Sequence, residues 1–454
     1  MRYIWRFDWL LVFITAIGTR LIPFFIYGQH PLGYDTGFYR RYAAQTLESF
    51  PDAPSAGLGN DALAPRLILD IGKLLGVPPD PLIYGVLIGA FACAAVTFHY
   101  AVKKRLGGIA GLLAGLAFIF SSVQYAGYWF FLLKNYVALC FLFLAFAELE
   151  KQKKTAKKSI PLAGYAALIF LSHTTTSVIF IATLAVFFIL KIGEENKKRY
   201  ATPFALCVVG IALFLAISGI WQKIDWQTPG IFLDWKEYAE ISLPLLLISA
   251  YTLGRIWRKA AEGPFFALLI VTGTIVVLRG PFYERVFLFL DIALIALIAE
   301  SLSKMKKGLD TSGYGKKIAL IAGTAMLTGW YAGNLSWTIK RYVPMVTKEE
   351  VVEMKKVDGM TEKDATILTV SDYMPWVYGF TKRKVISPGL RERIYNLEDW
   401  QRFWFKMNEE EKIEFLKIFP KPLYFFTIPG SDDNFLEAKC VKKKTDYLQR
   451  FKCD

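Results

Sequence analysis

Long apolar runs separated by short cationic clusters recur along the first three quarters of the chain. A spanning helix needs about 20 largely apolar residues. Eleven segments qualify approximately: 8–27, 81–102, 107–124, 129–149, 159–173, 175–191, 201–220, 240–256, 264–279, 284–302 and 317–336. The clusters Arg2/Arg6, Lys103-Lys104-Arg105, Lys151 to Lys158, Lys191 to Arg199, Arg255 to Lys259 and Lys304 to Lys317 fall on alternate connections. Cations gather on cytoplasmic loops, so the pattern predicts a cytoplasmic amino terminus and an external carboxyl tail.

The stretch 159–191 has Lys-rich flanks at both ends, which one crossing does not allow. Two short spans joined at Ser172-His173-Thr174-Thr175-Thr176 resolve the conflict and place His173 at or below the outer membrane surface. The first external loop, 28–80, is patterned rather than linker-like. Asp35 to Glu48 reads as a short helix, and Ala62 to Leu75 repeats Leu63, Leu67, Ile68, Ile71, Leu74 and Leu75 at helical spacing. Such an amphipathic helix suits the interface plane. Pro51, Pro54, Gly57 and Gly59 separate the two helices.

Beyond residue 337 the pattern changes to that of a soluble fold. Ala365 to Val370, Lys384 to Ile386 and Leu423 to Ile428 read as strands, Leu397 to Ile418 as helical, and the last segment as a strand pair. The expected architecture is an α-helical polytopic membrane protein with about eleven spans. Residues 1–337 form its membrane domain, and 338–454 an extracytoplasmic α/β domain.

Composition agrees. Hydrophobic residues make up 54% of 454 positions and charged ones 20%, which is too apolar for an ordinary soluble protein. The net charge of +15 follows the loop pattern, so it reads as topology and not as a nucleic-acid surface. Cys93, Cys140 and Cys207 lie in apolar runs as small hydrophobes. Cys440 and Cys453 flank a possible hairpin turn, as a disulfide if the tail is external or else as two lone thiols. No small-residue cleavage site follows the first apolar run, which reads as a retained span.

Candidate chemistry centres on His30-Pro31-Leu32-Gly33-Tyr34-Asp35-Thr36-Gly37-Phe38-Tyr39-Arg40-Arg41-Tyr42, just after the first apolar run. Asp35 can serve as a general base toward an acceptor hydroxyl, or it can simply cap the following helix; the two roles are compatible. Arg279 and Arg285 across a Gly-Pro turn can hold a lipid phosphate or anchor headgroups, and Lys134 adds a cation on the same face. His173 can donate to phosphate or sugar, or be a satisfied interior histidine. Tyr39, Arg40, Glu284 and Arg20 are candidate substrate contacts. Asp291, within a span, needs a partner such as Arg20. With His30, His99 and His173 as the three histidines, no histidine-built metal site is expected, nor is there a phosphate-binding Gly-rich loop, an H-E-x-x-H or a paired CxxC.

At these residues the chain resembles the GT-C superfamily of polytopic glycosyltransferases. The matching features are Thr19-Arg20-Leu21 late in the first span, Pro31 to Tyr39 with its acid, Ala64-Pro65-Arg66-Leu67, Leu74-Leu75-Gly76, and Lys103-Lys104-Arg105-Leu106-Gly107 leading into the Gly/Ala-rich third span. The likeness covers the first third in motifs and the remainder in topology. It implies transfer of a sugar from a polyprenyl- or dolichyl-phosphate carrier to a glycan, lipid or cell-surface glycoconjugate on the extracytoplasmic side, with Asp35 as base or metal-associated acid. Many members carry a second adjacent acid, which would favour a divalent cation; here the neighbour is Thr36. Trp376-Val377-Tyr378-Gly379 is similar to a stretch of oligosaccharyltransferase catalytic subunits but lacks its paired Trp and Asp, which argues against sequon-recognising transfer to protein and towards a monosaccharide transferase. Displacement at the anomeric carbon in such a transfer is expected to invert its configuration. A transporter or flippase for lipid-linked intermediates is the alternative; it often carries internal repeats, and none is evident here.

Overall fold

In a computed structural model the described residues are 7–28, 30–52, 62–151, 159–191, 232–260, 263–280, 282–309, 329–387, 395, 397–427 and 440–453. The expected span 201–220 and most of 317–336 lie outside them, as do the cationic loops at 152–158 and 192–199 and residues Pro54, Gly57, Gly59 and Pro281. Contacts divide the chain into two compact units. The first comprises Met1–Pro23, Asp61–Pro65 and Gly85–Tyr342; the second joins Phe24–Asn60 and Arg66–Tyr84 to Val343–Asp454.

The helices in chain order begin with α1 (Asp8–Tyr27), α2 (Thr36–Ala44), α3 (Leu63–Leu74), α4 (Pro79–Leu106), α5 (Gly108–Phe120) and α6 (Ser122–Trp129). They continue with α7 (Leu133–Lys151), α8 (Ser159–Ser172), α9 (Thr174–Lys191), α10 (Trp235–Ala260), α11 (Pro264–Val277), α12 (Tyr283–Leu309) and α13 (329–341). Among the described residues four helices are long and apolar enough to cross a membrane, or five if the bent pair α5 and α6 is one span. The first unit packs α7 along α8, and α12 against α5, α10 and α11. Rings of Phe98, Phe118, Phe143 and Phe265 meet within it, with Phe98 to Phe143 centroids 4.9 Å apart. The break expected at His173 is present, between α8 and α9.

The third expected span, 107–124, is not one straight helix. It breaks at Ser121, and α6 leaves at 49° to α5. A break at membrane depth frees backbone groups that must be satisfied within protein. Arg20 Nη2 donates to the freed Ile119 carbonyl at 3.1 Å, and the Ser121 hydroxyl accepts from Gln124 N at 3.2 Å. From α12, Asp291 Oδ2 accepts from Ser121 Oγ at 2.8 Å and from Gln124 Nε2 at 3.0 Å. The expected pairing of Asp291 with Arg20 is therefore replaced by two separate attachments to the same bend. Arg20 sits over the Phe91 ring at 3.8 Å, with Tyr125 and Tyr128 around it.

The second unit adds α14 (Lys348–Met360), β1 (Thr366–Thr369), α15 (Met374–Phe380), β2 (Lys384–Ile386), α16 (Leu397–Phe405), α17 (Glu409–Lys417), β3 (Leu423–Phe426), β4 (Val441–Lys443) and β5 (Leu448–Phe451). The sheet order is β2-β1-β3-β5-β4, parallel across β2, β1 and β3 and antiparallel across β3, β5 and β4. Strand side chains alternate between faces. Ile367, Val385, Tyr424 and Phe426 enter one core with Met354, Trp376 and Phe38; Leu368, Ile386, Leu423 and Phe425 enter another with Trp400, Phe403 and Phe415. All four residues of β1 and all four of β3 are buried, as expected of strands covered on both faces; β3 is the apolar run Leu-Tyr-Phe-Phe, and β1 carries Ile367 and Leu368 between two threonines. The region read as helical, Leu397 to Ile418, holds two helices, the second capped by Asn408, whose side chain accepts from Glu411 N at 3.0 Å. Cys440 and Cys453 form a disulfide that closes the final strand pair.

Candidate functional site

In the second unit, Asp35 occupies the position before α2 and is partly exposed. Its side chain makes no capping hydrogen bond to that helix, so the expected capping role is not what engages its carboxylate. Thr36, Gly37, Phe38, Tyr39 and Tyr42 are buried, which fixes the helix behind it.

The partner of α2 is α15, all seven residues of which are buried. A Cβ on Gly37 would fall on the Pro375 carbonyl, and one on Gly379 would come within 2.6 Å of the Gly37 carbonyl oxygen. Side chains are thus excluded where the backbones meet. Further along, Arg40 Nη1 donates to Gly379 O at 2.6 Å and Arg41 donates to Thr381 O. Cations at helix carbonyl ends are favourable. Contact advances along both helices in the same direction, so they run parallel with their amino-terminal ends together. Asp35 precedes one helix, and Asp372 lies just before the other.

Between those ends stands Tyr34, whose phenol is pushed above its ordinary value by burial, with the Asp35 and Asp372 carboxylates adding to the effect. Sequence reasoning missed Asp372 because nothing local distinguishes it; only the parallel packing brings it to the Asp35 end. Tyr39 is 2% exposed and lies in the body of α2. Arg40 Nε also bonds Asp80 at 2.8 Å, and its guanidinium lies 3.8 Å from the Phe380 ring centroid. Beside this clamp His30 Nδ1 lies 3.0 Å from the Tyr84 hydroxyl, and its ring meets Trp376 and Phe380 edge-on. Burial lowers the His30 pKa to about 4, so its imidazole is neutral at physiological pH.

A network beneath α2 holds the loop. Asp70 Oδ2 accepts from Tyr42 Oη and from Asp52 N, both at 2.9 Å, while Lys73 Nζ lies 2.8 Å from Asp52 Oδ2 and 3.3 Å from Asp70 Oδ1. With these polar residues turned inward, Ile71, Leu74 and Leu75 of the amphipathic segment are exposed.

The remaining expected residues belong to the first unit. Arg20 is completely buried in the helix bundle around the bend. Arg279 follows α11, exposed and with φ of 48°, while Glu284 and Arg285 open α12, so the structure places these three about one turn. The Glu284 carboxylate accepts from the Phe232 backbone. Arg285 Nε is buried without a hydrogen-bond partner among the described residues. Lys134 lies in the first turn of α7 beside buried Asn135. His173 is 5% exposed, and its Nδ1 is 2.9 Å from Thr176 Oγ1. Among the described residues no three His, Cys, Asp or Glu side chains lie close enough together to hold a metal ion.

Solved structures similar in fold include the archaeal oligosaccharyltransferase AglB from Archaeoglobus fulgidus in complex with an inhibitory peptide and a dolichol-phosphate. It is 10% identical with a TM-score of 0.64, over 94% of this chain and 69% of that one. The chain has the GT-C fold. Arabinofuranosyltransferase AftD from Mycobacteria is 16% identical with a TM-score of 0.59, over 92% of this chain and 35% of that one. ArnT from Cupriavidus metallidurans bound to undecaprenyl phosphate is 9% identical with a TM-score of 0.53, over 98% of each chain. No family model matches the sequence, and no curated protein does.

Proposed function

We propose that this protein is a membrane glycosyltransferase that moves a sugar from a polyprenyl- or dolichyl-phosphate carrier to a glycan, lipid or cell-surface glycoconjugate on the extracytoplasmic side. The observation that carries the reading is Asp35: a partly exposed carboxylate, not spent on capping, at the head of a buried helix in a chain with the GT-C fold. The carriers bound in the AglB and ArnT structures support the donor class. The Cys440–Cys453 disulfide favours an oxidising compartment for the second unit and hence an external carboxyl tail.

In this reading Asp35 takes the proton of an acceptor hydroxyl as that oxygen bonds to the anomeric carbon. The bond from that carbon to the carrier phosphate breaks, and the configuration inverts. Arg279, Arg285, Lys134 and His173 are the groups assigned to the departing phosphate, whose growing negative charge they stabilise. Arg285 is the strongest of them, because its buried Nε has no hydrogen-bond partner among the described residues. Tyr39, Arg40, Glu284 and Arg20 are the groups assigned to substrate binding.

The test is transfer from a radiolabelled polyprenyl-phosphate sugar by purified protein. General bases contribute on the order of 10²- to 10⁴-fold. Asp35→Asn is expected to lose that factor while retaining its fold and its binding of polyprenyl phosphate. Undiminished transfer by a folded Asp35→Asn protein rules Asp35 out as the base, and failure of wild type to release polyprenyl phosphate from any such donor rules out the reaction.

A further inference from the structure

The acid and the helix that supports it come from opposite ends of the chain. Asp35 heads α2 in the first external loop, whereas α15 belongs to the carboxyl-terminal fold, and the two meet backbone to backbone at Gly37 and Gly379. We propose that Gly379 is a positioning residue for Asp35, so that the carboxyl-terminal fold is a working part of the catalytic centre. This rests on the transferase reading above.

The physical argument is the absence of slack. A methyl at Gly379 would meet Gly37 O at 2.6 Å and Gly37 Cα at 2.9 Å, and both are backbone atoms that no rotamer change can move. The helices must therefore part. Asp35 is two residues upstream of Gly37, so it moves with them. The α15 side cannot yield easily, because Trp376 and Val377 are fully buried in the sheet core. Farther along, Arg41 donates to Thr381 O and fastens the opposite end of the contact, turning any separation into a tilt at the Asp35 end. A misplacement of about 1 Å at a reacting group costs roughly 10²-fold in rate.

The test uses the full-length protein in nanodiscs. Gly379→Ala is expected to lower kcat for sugar transfer about 100-fold, with the donor KM within twofold of wild type and faster hydrogen exchange of the α2 amides. Gly359→Ala is the control: it lies in α14 of the same unit, where an added Cβ meets nothing within 4 Å, and it is expected to leave kcat and exchange unchanged. Should Gly379→Ala fail to fold, Arg41→Gln decides, with about a tenfold fall in kcat, faster α2 exchange and partial rescue by Arg41→Lys. A kcat within twofold of wild type in the deciding variant overturns the proposal, as does an equal loss in Gly359→Ala or unchanged α2 exchange. Active wild type, inactive Asp35→Asn and normal Gly379→Ala refute this inference alone; wild type that transfers no sugar refutes the transferase reading, while the exchange arm still reports on the contact.

Discussion

Two buried carboxylate clusters, one in each unit, are satisfied by different means. In the first, Asp291 has neutral hydrogen-bond donors, Ser121 and Gln124, and the oppositely charged Arg20 goes to a backbone carbonyl and aromatic faces instead of to the acid. In the second, Asp52 and Asp70 share the ammonium of Lys73, with Tyr42 and a backbone N–H completing the set. Removing one member of a buried ion pair strands the other charge, whereas replacing a carboxylate held by neutral donors strands little. The loop that carries Asp35 is therefore held by charge, and the bend in the membrane helices by hydrogen bonds.

Three measurements test that contrast. The largest effect is expected from Lys73→Met, which leaves Asp52 and Asp70 buried together without their cation and should cost about 3–5 kcal/mol in thermal or denaturant unfolding. A loss below about 1 kcal/mol would mean that the ion pair does not hold the loop.

Next is acidification. His30 has a folded value of about 4 against an ordinary 6.5, so between those pH values the unfolded chain binds a proton that the folded chain does not. Its contribution is whole above about pH 6.5 and lost as pH falls toward 4, by roughly 3 kcal/mol at most. A stability titration of wild type against His30→Asn should show that slope in wild type and its reduction in the variant; identical slopes would contradict the assignment.

The smallest effect is expected from Asp291→Asn, at about 1 kcal/mol or less, since hydrogen bonds between membrane helices are individually modest. A cost matching that of Lys73→Met would erase the distinction between the two clusters.

The same contrast separates what was legible in the residues from what was not. The loop helices, the break at His173, the strands of the carboxyl-terminal fold and a disulfide as one of the two fates of Cys440 and Cys453 all follow from patterns read within short windows. The straight third span did not survive, because its break at Ser121 is completed by Asp291 from a distant helix and by Arg20 from the first one. Arg20 and Arg40 read equally well as ligand contacts by type; their neighbours, an Ile119 carbonyl and the end of α15, are visible only in three dimensions.

Hydropathy and periodicity by themselves pointed to a membrane chain with a patterned loop after its first apolar run, a carboxyl-terminal α/β fold and an acid at the head of a loop helix. Those properties depend on residues a few positions apart, whose energetics are set by the local chain. Tertiary structure alone decided that the acid's helix lies on α15, that Asp372 shares its end, and that glycines hundreds of positions apart meet. Such contacts follow from chain closure and from steric exclusion between distant backbones, and a single sequence carries no local signal of either.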